Sequence, residues 1–250
     1  MKKIITLTIA LSLFLISCTS NDSQTDNNTQ SSVLLKKMIQ TNSQGTITSD
    51  ISYTGNKIIN EVQTNGYEGK YFYTGDLITK FERYQNNVLK FSCIYNYNNN
   101  GKVISCNIND VGYYSGTLSI TYNSNVNITY NTIFTYTQSS TVENKTYTAT
   151  IVNNEIDTFT ENGTNIVYSY TYDSKTNARK NVEGYNKIYL ANIESIVGCY
   201  QNVIQVKKNN VLTSSSIYTY NSSEYPLTQT INSYSATGTI QSTKSLSYYY

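Results

Sequence analysis

The sequence predicts an all-β protein, an antiparallel up-and-down meander of roughly a dozen or more strands that is curved or barrel-like and holds at most one short helix. Three observations carry that expectation. The 250 residues include 26 Tyr beside many Thr, Ile and Val, the side chains that fit a pleated, half-buried surface. Apolar and polar residues alternate over short runs, and clusters of Asn, Gly and Ser punctuate those runs. Pro226 is the single proline, so little interrupts a ladder of backbone hydrogen bonds.

In chain order, the first feature is not a strand. Lys2 and Lys3 precede an apolar run from Ile4 to Ile16, then come Ser17, Cys18 and an abruptly polar stretch. The run is too short for a helix spanning a bilayer, which needs about 20 residues. A positive start, an apolar centre and a small residue before a cysteine read as a signal peptide over residues 1–17 closing on a lipobox. Cys18 is then the lipidated start of the mature chain and binds it to the membrane, each buried methylene contributing about 0.8 kcal/mol. Thr19 follows, with no retention aspartate, so the expected location is the outer membrane. Acidic residues nearby, Asp22 and Asp26, are sparse and leave the periplasmic or surface side open. Residues 18–32 form the lipidated cysteine and a polar tether, and residues 33–250 a single all-β domain.

Within that domain Leu118, Ile120 and Tyr122 alternate with Thr117, Ser119 and Thr121, and Val126, Ile128 and Tyr130 alternate with Asn127 and Thr129. Folded about Asn123–Asn125, this hairpin pairs Tyr122 with Val126, Ile120 with Ile128 and Leu118 with Tyr130, giving one apolar face. Asn162-Gly163 is the strongest two-residue turn and sets Phe159 opposite Ile166. Similar turns fall at Gly55-Asn56, Gly75-Asp76, Asn86-Asn87, Asn98–Gly101, Asn209-Asn210 and Asn221–Ser223. The stretch from Asp173 to Gly198 is the least strand-like and reads as a long loop or one short helix.

Composition excludes several functions. Without Lys2 and Lys3 the 18 basic residues fall level with the 16 acidic ones, which gives no electrostatic basis for binding nucleic acid. There is no histidine, so Ser-His-Asp and Cys-His nucleophiles and His-based metal sites are ruled out, and no cofactor is expected. There is no tryptophan to stack on sugars.

A loose repeat runs through the chain: Tyr95-Asn-Tyr97-Asn98-Asn-Asn-Gly101-Lys102, Ile120-Thr-Tyr122-Asn123, Tyr170-Thr-Tyr172-Asp173 and Tyr218-Thr-Tyr220-Asn221. It resembles the tyrosine–aspartate (RHS-type) repeats, in which the Asp or Asn accepts backbone hydrogen bonds at a turn between strands. The succession Tyr168–Asp173, Lys175–Tyr189, Gln201–Val203, Tyr218–Asn221 and Tyr225-Pro226 is similar to an uncharacterised bacterial lipoprotein family, a domain of unknown function with a porin-like fold. It departs at Asn177-Ala178-Arg179, where members carry Asn-Pro-Phe. That resemblance implies a barrel-like meander in a Gram-negative envelope and no catalytic residues.

Four groups are candidates for chemistry. Cys93 and Cys106 flank the Asn98–Gly101 turn; a symmetric hairpin sets them opposite each other, while a Gly101 bulge sets them on opposite faces. The hydrophobic pattern favours the first, and an oxidising envelope permits the disulfide. Cys199 is left over as a small core residue. Glu155, Asp157 and Glu161 alternate along one strand and read as a solvated face rather than a glycosidase pair. Tyr168, Tyr170 and Tyr172 form a ladder that serves either as cross-strand packing or as an exposed surface for a glycan or an envelope protein. The ending Leu246-Ser-Tyr248-Tyr-Tyr250 resembles the terminal aromatic of outer-membrane barrels, but few leucines and alternate faces of Thr, Ser and Asn argue against a membrane band. The leading expectation is a non-enzymatic envelope lipoprotein, a β-rich scaffold or binding module; the alternatives are a membrane-embedded barrel and a fibre- or adhesin-forming surface protein.

Overall fold

Asparagine and glycine at the strand ends set the architecture, because a two-residue hairpin turn needs positive φ at its centre. Asn86 and Asn87 (φ 49° and 64°) and Asn209 and Asn210 (51° and 66°) supply it, and so do Asn153 and Asn154 (51° and 62°). In the computed structural model, which describes residues 32–192 and 198–250, such turns and longer loops join sixteen strands. They are β1 (Lys37–Asn42), β2 (Gly45–Thr54), β3 (Lys57–Gln63), β4 (Tyr67–Thr74), β5 (Leu77–Gln85), β6 (Val88–Tyr97), β7 (Val103–Asp110) and β8 (Tyr114–Tyr122). The second half has β9 (Asn127–Tyr136), β10 (Val142–Val152), β11 (Glu155–Glu161), β12 (Ile166–Tyr172), β13 (Val203–Lys208), β14 (Val211–Tyr220), β15 (Pro226–Tyr234) and β16 (Ile240–Tyr249). Every strand pairs antiparallel with its chain neighbours, and β1 pairs with β16 to close a barrel. The all-β meander expected from the sequence is therefore present and fully closed. Closure leaves no free strand edge, so edge-to-edge growth into a fibre has no template here. The residues read as a signal peptide, Cys18 and the expected tether up to residue 31 lie outside the described residues.

Side-chain parity gives the barrel its two walls. The outer wall carries cross-strand hydroxyl and amide pairs: Thr41 with Thr46 (3.0 Å), Thr150 with Thr158 (2.7 Å), Thr219 with Thr228 (2.7 Å), and Thr146 donating to Asn131 (2.8 Å). Outward apolar residues such as Ile94, Ile133 and Ile217 are interspersed among these polar rows. The inner wall is apolar over much of β5 to β11 and polar from β13 to β2, where Ser214, Ser216, Gln229, Lys244, Gln40 and Ser49 face inward. Ile78, Val103, Cys106, Leu118, Ile128 and Tyr130 all point inward and are buried.

The least strand-like stretch turns into the barrel. Between β12 and β13 the described residues form one short helix, α1 (Tyr185–Ile188), and a single 3-10 turn at Tyr189–Ala191. Ile188 and Ala191 pack into the core with Ile78 and Tyr130, while Ala178 and Val182 pack against Leu35, Ile51 and Ile58. This insertion plugs the barrel end at which the chain enters at Ser32 and finishes at Tyr250. That end also holds the turns following β2, β4, β6, β8, β10 and β14.

Three predicted registers are corrected by two residues each. Tyr122 pairs with Ile128 and Ile120 with Tyr130, not with Val126 and Ile128. Phe159 pairs with Tyr168, and Glu161 with Ile166. Cys106 pairs with Tyr95 and Cys93 with Ile108, so the two cysteines are diagonal neighbours. The cause is local: each turn consumes more residues than a minimal loop. The Asn98 side-chain oxygen accepts from the N–H groups of Asn100 and Lys102, which widens the loop. Asn123 and Ser124 both donate backbone N–H to the Asn127 carbonyl. At the third, Thr164 donates its N–H to the Glu161 carbonyl, making Asn162–Asn165 a four-residue turn. A two-residue slip preserves parity, so every face stays as the alternation requires.

Candidate binding cup inside the barrel

The plug fills only one end of the barrel. Toward the other end, the inner faces of β4 to β9 surround a cavity of about 330 Å³ whose floor is the plug, through Tyr185, Ile188 and Tyr189. An adjoining cavity of about 320 Å³ shares Tyr71, Phe81 and Arg83 with it and adds Gln63, Asn65 and Tyr67. Volumes of roughly 300–1,000 Å³ are those of small-molecule sites.

Two aromatic groups form its walls. Tyr71 and Phe81 lie 4.9 Å apart between ring centroids, with Phe91 6.2 Å beyond Phe81. Tyr114 sits 4.9 Å from Phe134 and 5.9 Å from Tyr136. Each group lies over a glycine. A Cβ on Gly69 would come 3.0 Å from Phe81 Cε2, and a Cβ on Gly116 would fall on the Ile133 carbonyl oxygen and the Phe134 ring. Both glycines are in extended strand, so their use is close approach, letting each ring rest against the backbone of the neighbouring strand.

Arg83 stands at the mouth, its guanidinium 5.2 Å from the Phe91 ring centre and 6.0 Å from that of Tyr67. Paired residues share a face, so Arg83, Phe91 and Asp110 form one inward row across three strands. Two strand spacings hold the guanidinium and carboxylate about 9–10 Å apart at the backbone, and both line the larger cavity.

The floor is held by buried polar groups. Glu155, 1% exposed, accepts hydrogen bonds from the backbone N–H groups of Cys199, Tyr200 and Gln201 at 2.6–3.1 Å. Burial pushes its carboxyl up, against the pull of those three donors. Glu61 on the wall takes Arg179 of the plug at 2.7 Å. Burial would raise the Glu61 carboxyl, but the guanidinium and its hydrogen bond outweigh this and hold it below its ordinary value. Asp173 accepts from the backbone of Lys175 and Asn202, and from the Tyr220 hydroxyl.

The structure relocates most of the residues singled out from the sequence. Tyr168, Tyr170 and Tyr172 face inward and are half-buried, so the exposed ladder is corrected to an interior one; Tyr172 donates to the Ile156 carbonyl at 2.7 Å. Cys93 and Cys106 are buried free thiols that share a hydrogen bond, and Cys93 lines the cup. The shared hydrogen bond and burial both push the Cys106 thiol up. Cys199 is buried, as a small core residue is. The solvated face assigned to Glu155, Asp157 and Glu161 is corrected as well: Glu155 is buried under the plug, and Glu161 faces the interior, 3.4 Å from Lys145. The cup residues Phe81, Arg83, Phe91, Asp110, Tyr114 and Phe134 were missed. The available signal was a glycine within a strand beside an inward aromatic.

No family model matches the chain, and no curated protein matches it. Among solved structures it is similar to a porin-like protein from Bacteroides uniformis, at 12% identity, covering 86% of this chain and 97% of that one, with a TM-score of 0.45. So distant a likeness says nothing of activity, and the fold rests on the strand pairing itself.

Proposed function

We propose that this protein is a non-enzymatic envelope lipoprotein, tethered to the outer membrane through Cys18, whose barrel stands in water as a binding cup for a small ligand, a glycan above all. The supporting observation is an open cavity ringed by aromatic side chains inside a barrel whose outer face mixes hydroxyl and amide pairs with scattered apolar residues. The cup has flat rings for the apolar faces of a sugar and planar polar groups (Gln63, Asn65, Arg83) at its mouth. Thermal shift of the mature chain carrying Cys18→Ser, against a panel of oligosaccharides, tests this. At least one sugar should raise the midpoint, and Phe81→Ala should remove that effect while Ile217→Ala on the outer wall keeps it. A panel that leaves the midpoint unmoved, or a shift that survives Phe81→Ala, sinks the reading.

Closure of sixteen strands favours a second reading, a barrel embedded in the membrane. Its outer wall would then need an apolar band about 25 Å tall. The threonine and asparagine rows on that wall weigh toward the aqueous reading.

A further inference from the structure

We infer that the cup takes an anionic ligand, an acidic oligosaccharide whose carboxylate is met by Arg83. This rests on the binding-cup reading and names its ligand class. The argument is a charge inventory of the inner wall. By strand register Lys145, Lys208 and Lys244 face inward with Arg83, as do Asp110, Glu143 and Glu161. Glu143 and Glu161 share Lys145, at 2.9 and 3.4 Å, and Glu61 is taken by Arg179. Among the described residues Arg83, Lys208 and Lys244 have no ion-pair partner, and Asp110 is the one inward carboxylate at the mouth without a cation. Glu143 and Glu161 divide one cation between them, so the five inward cations (Arg83, Lys145, Arg179, Lys208 and Lys244) nearly balance the carboxylates, and what sets Arg83, Lys208 and Lys244 apart is that each stands free of an ion pair.

Arg83 is the best placed of the three. Its guanidinium is exposed, and it packs on Phe91 and Tyr67 rather than folding onto a carboxylate. A guanidinium beside rings and free of a carboxylate partner keeps its donors available and presents a planar fork that matches a carboxylate. The same rings offer faces to the C–H surface of a pyranose, and Asp110 is set to accept from hydroxyls farther along the chain. Lys208 stands at the rim of β13, eight strands from β5 and so across the mouth, where it steers anions inward.

Calorimetry of the mature Cys18→Ser chain with trigalacturonate, its neutral methyl ester and naphthoate tests this. The acid sugar should bind at least tenfold tighter than the ester, and the difference should shrink as salt rises. Arg83→Gln should erase the preference, while Arg83→Lys keeps part of it; unchanged circular dichroism and melting midpoint show that both variants fold. Equal binding of acid and ester, or a preference that survives Arg83→Gln, overturns the anion assignment and leaves the cup intact. Binding of naphthoate without the sugar acid overturns the oligosaccharide class. Failure of all three probes overturns the inference, and the neutral panel above then decides the cup separately.

Discussion

Tyrosine does one job repeatedly in this chain. Tyr97 donates to the Ile78 carbonyl (2.5 Å), Tyr122 to that of Val103 (3.0 Å), Tyr172 to that of Ile156 (2.7 Å) and Tyr218 to that of Val203 (3.2 Å). Each acceptor lies at the beginning of a strand, where the ladder shifts register and a carbonyl is free to accept. The Asn or Asp after the repeat then caps the turn, as Asn98, Asp173 and Asn221 do through their side-chain oxygens. The repeat visible in the sequence is thus a structural device, a tyrosine anchoring an irregular strand and an Asx turn closing the hairpin. Removing one anchor, as in Tyr122→Phe, should cost about 1–3 kcal/mol, because a part-buried carbonyl loses its donor; urea unfolding measures it. The hydroxyls also make a pH prediction. Burial pushes those of Tyr53, Tyr122 and Tyr170 up to about 12 from an ordinary value of 10.0. An acid whose folded value is raised contributes stability below its unfolded value and loses it as pH rises. The urea midpoint should therefore fall between pH 10 and 12, and the tyrosinate absorbance of these buried hydroxyls should appear together with unfolding rather than before it.

At the level of elements, parity was legible and register was not. Alternation told which residues face inward, and Leu118, Ile120, Phe159, Cys93 and Cys106 all do. Partner identity depended on loops widened by side chains such as that of Asn98, whose hydrogen bonds alternation does not encode. The plug was legible only as a gap in the strand pattern. Its residues are mixed apolar and polar without period because they meet different walls: Ala178 and Val182 one cluster, Ile188 and Ala191 another. Glu155 was misread for the same reason, since its partners are backbone N–H groups 44 to 46 residues away. The cup rings were illegible because a cavity forms only when distant strands close. The plug's attachment makes a prediction of its own. Glu155→Ala would bury three backbone donors without an acceptor, at about 1–3 kcal/mol each before relaxation. The plug should loosen before the barrel does. Limited proteolysis should cut within 173–202 while the far-ultraviolet spectrum keeps its β signature; cleavage spread evenly over the hairpins would contradict a separately held plug.

For the whole molecule, the decisive property is which wall meets the solvent. A barrel in lipid must put apolar side chains outward, because hydroxyls and amides in hydrocarbon cost several kcal/mol each without partners. Here the outward rows of β8 to β11 run Ser119, Asn131, Thr146 and Thr117, Ile133, Asn144, and Thr129, Thr148, Thr160. These hydroxyls and amides keep donors and acceptors beyond their one cross-strand bond, which water satisfies and hydrocarbon does not. On the proposed reading, attachment depends on the chain's amino end and not on the wall. Replacing Cys18 by Ser in the full precursor should move the protein from the membrane pellet to the aqueous fraction after cell breakage. The released protein should stay monomeric without detergent, and the lipidated wild type should need detergent only to leave the membrane. Its gel mobility should differ between heated and unheated samples wherever the barrel survives the detergent, on either reading, so fractionation is the measurement that decides. If Cys18→Ser still sediments with membranes and resists alkaline carbonate, the wall itself holds the bilayer and the aqueous reading fails.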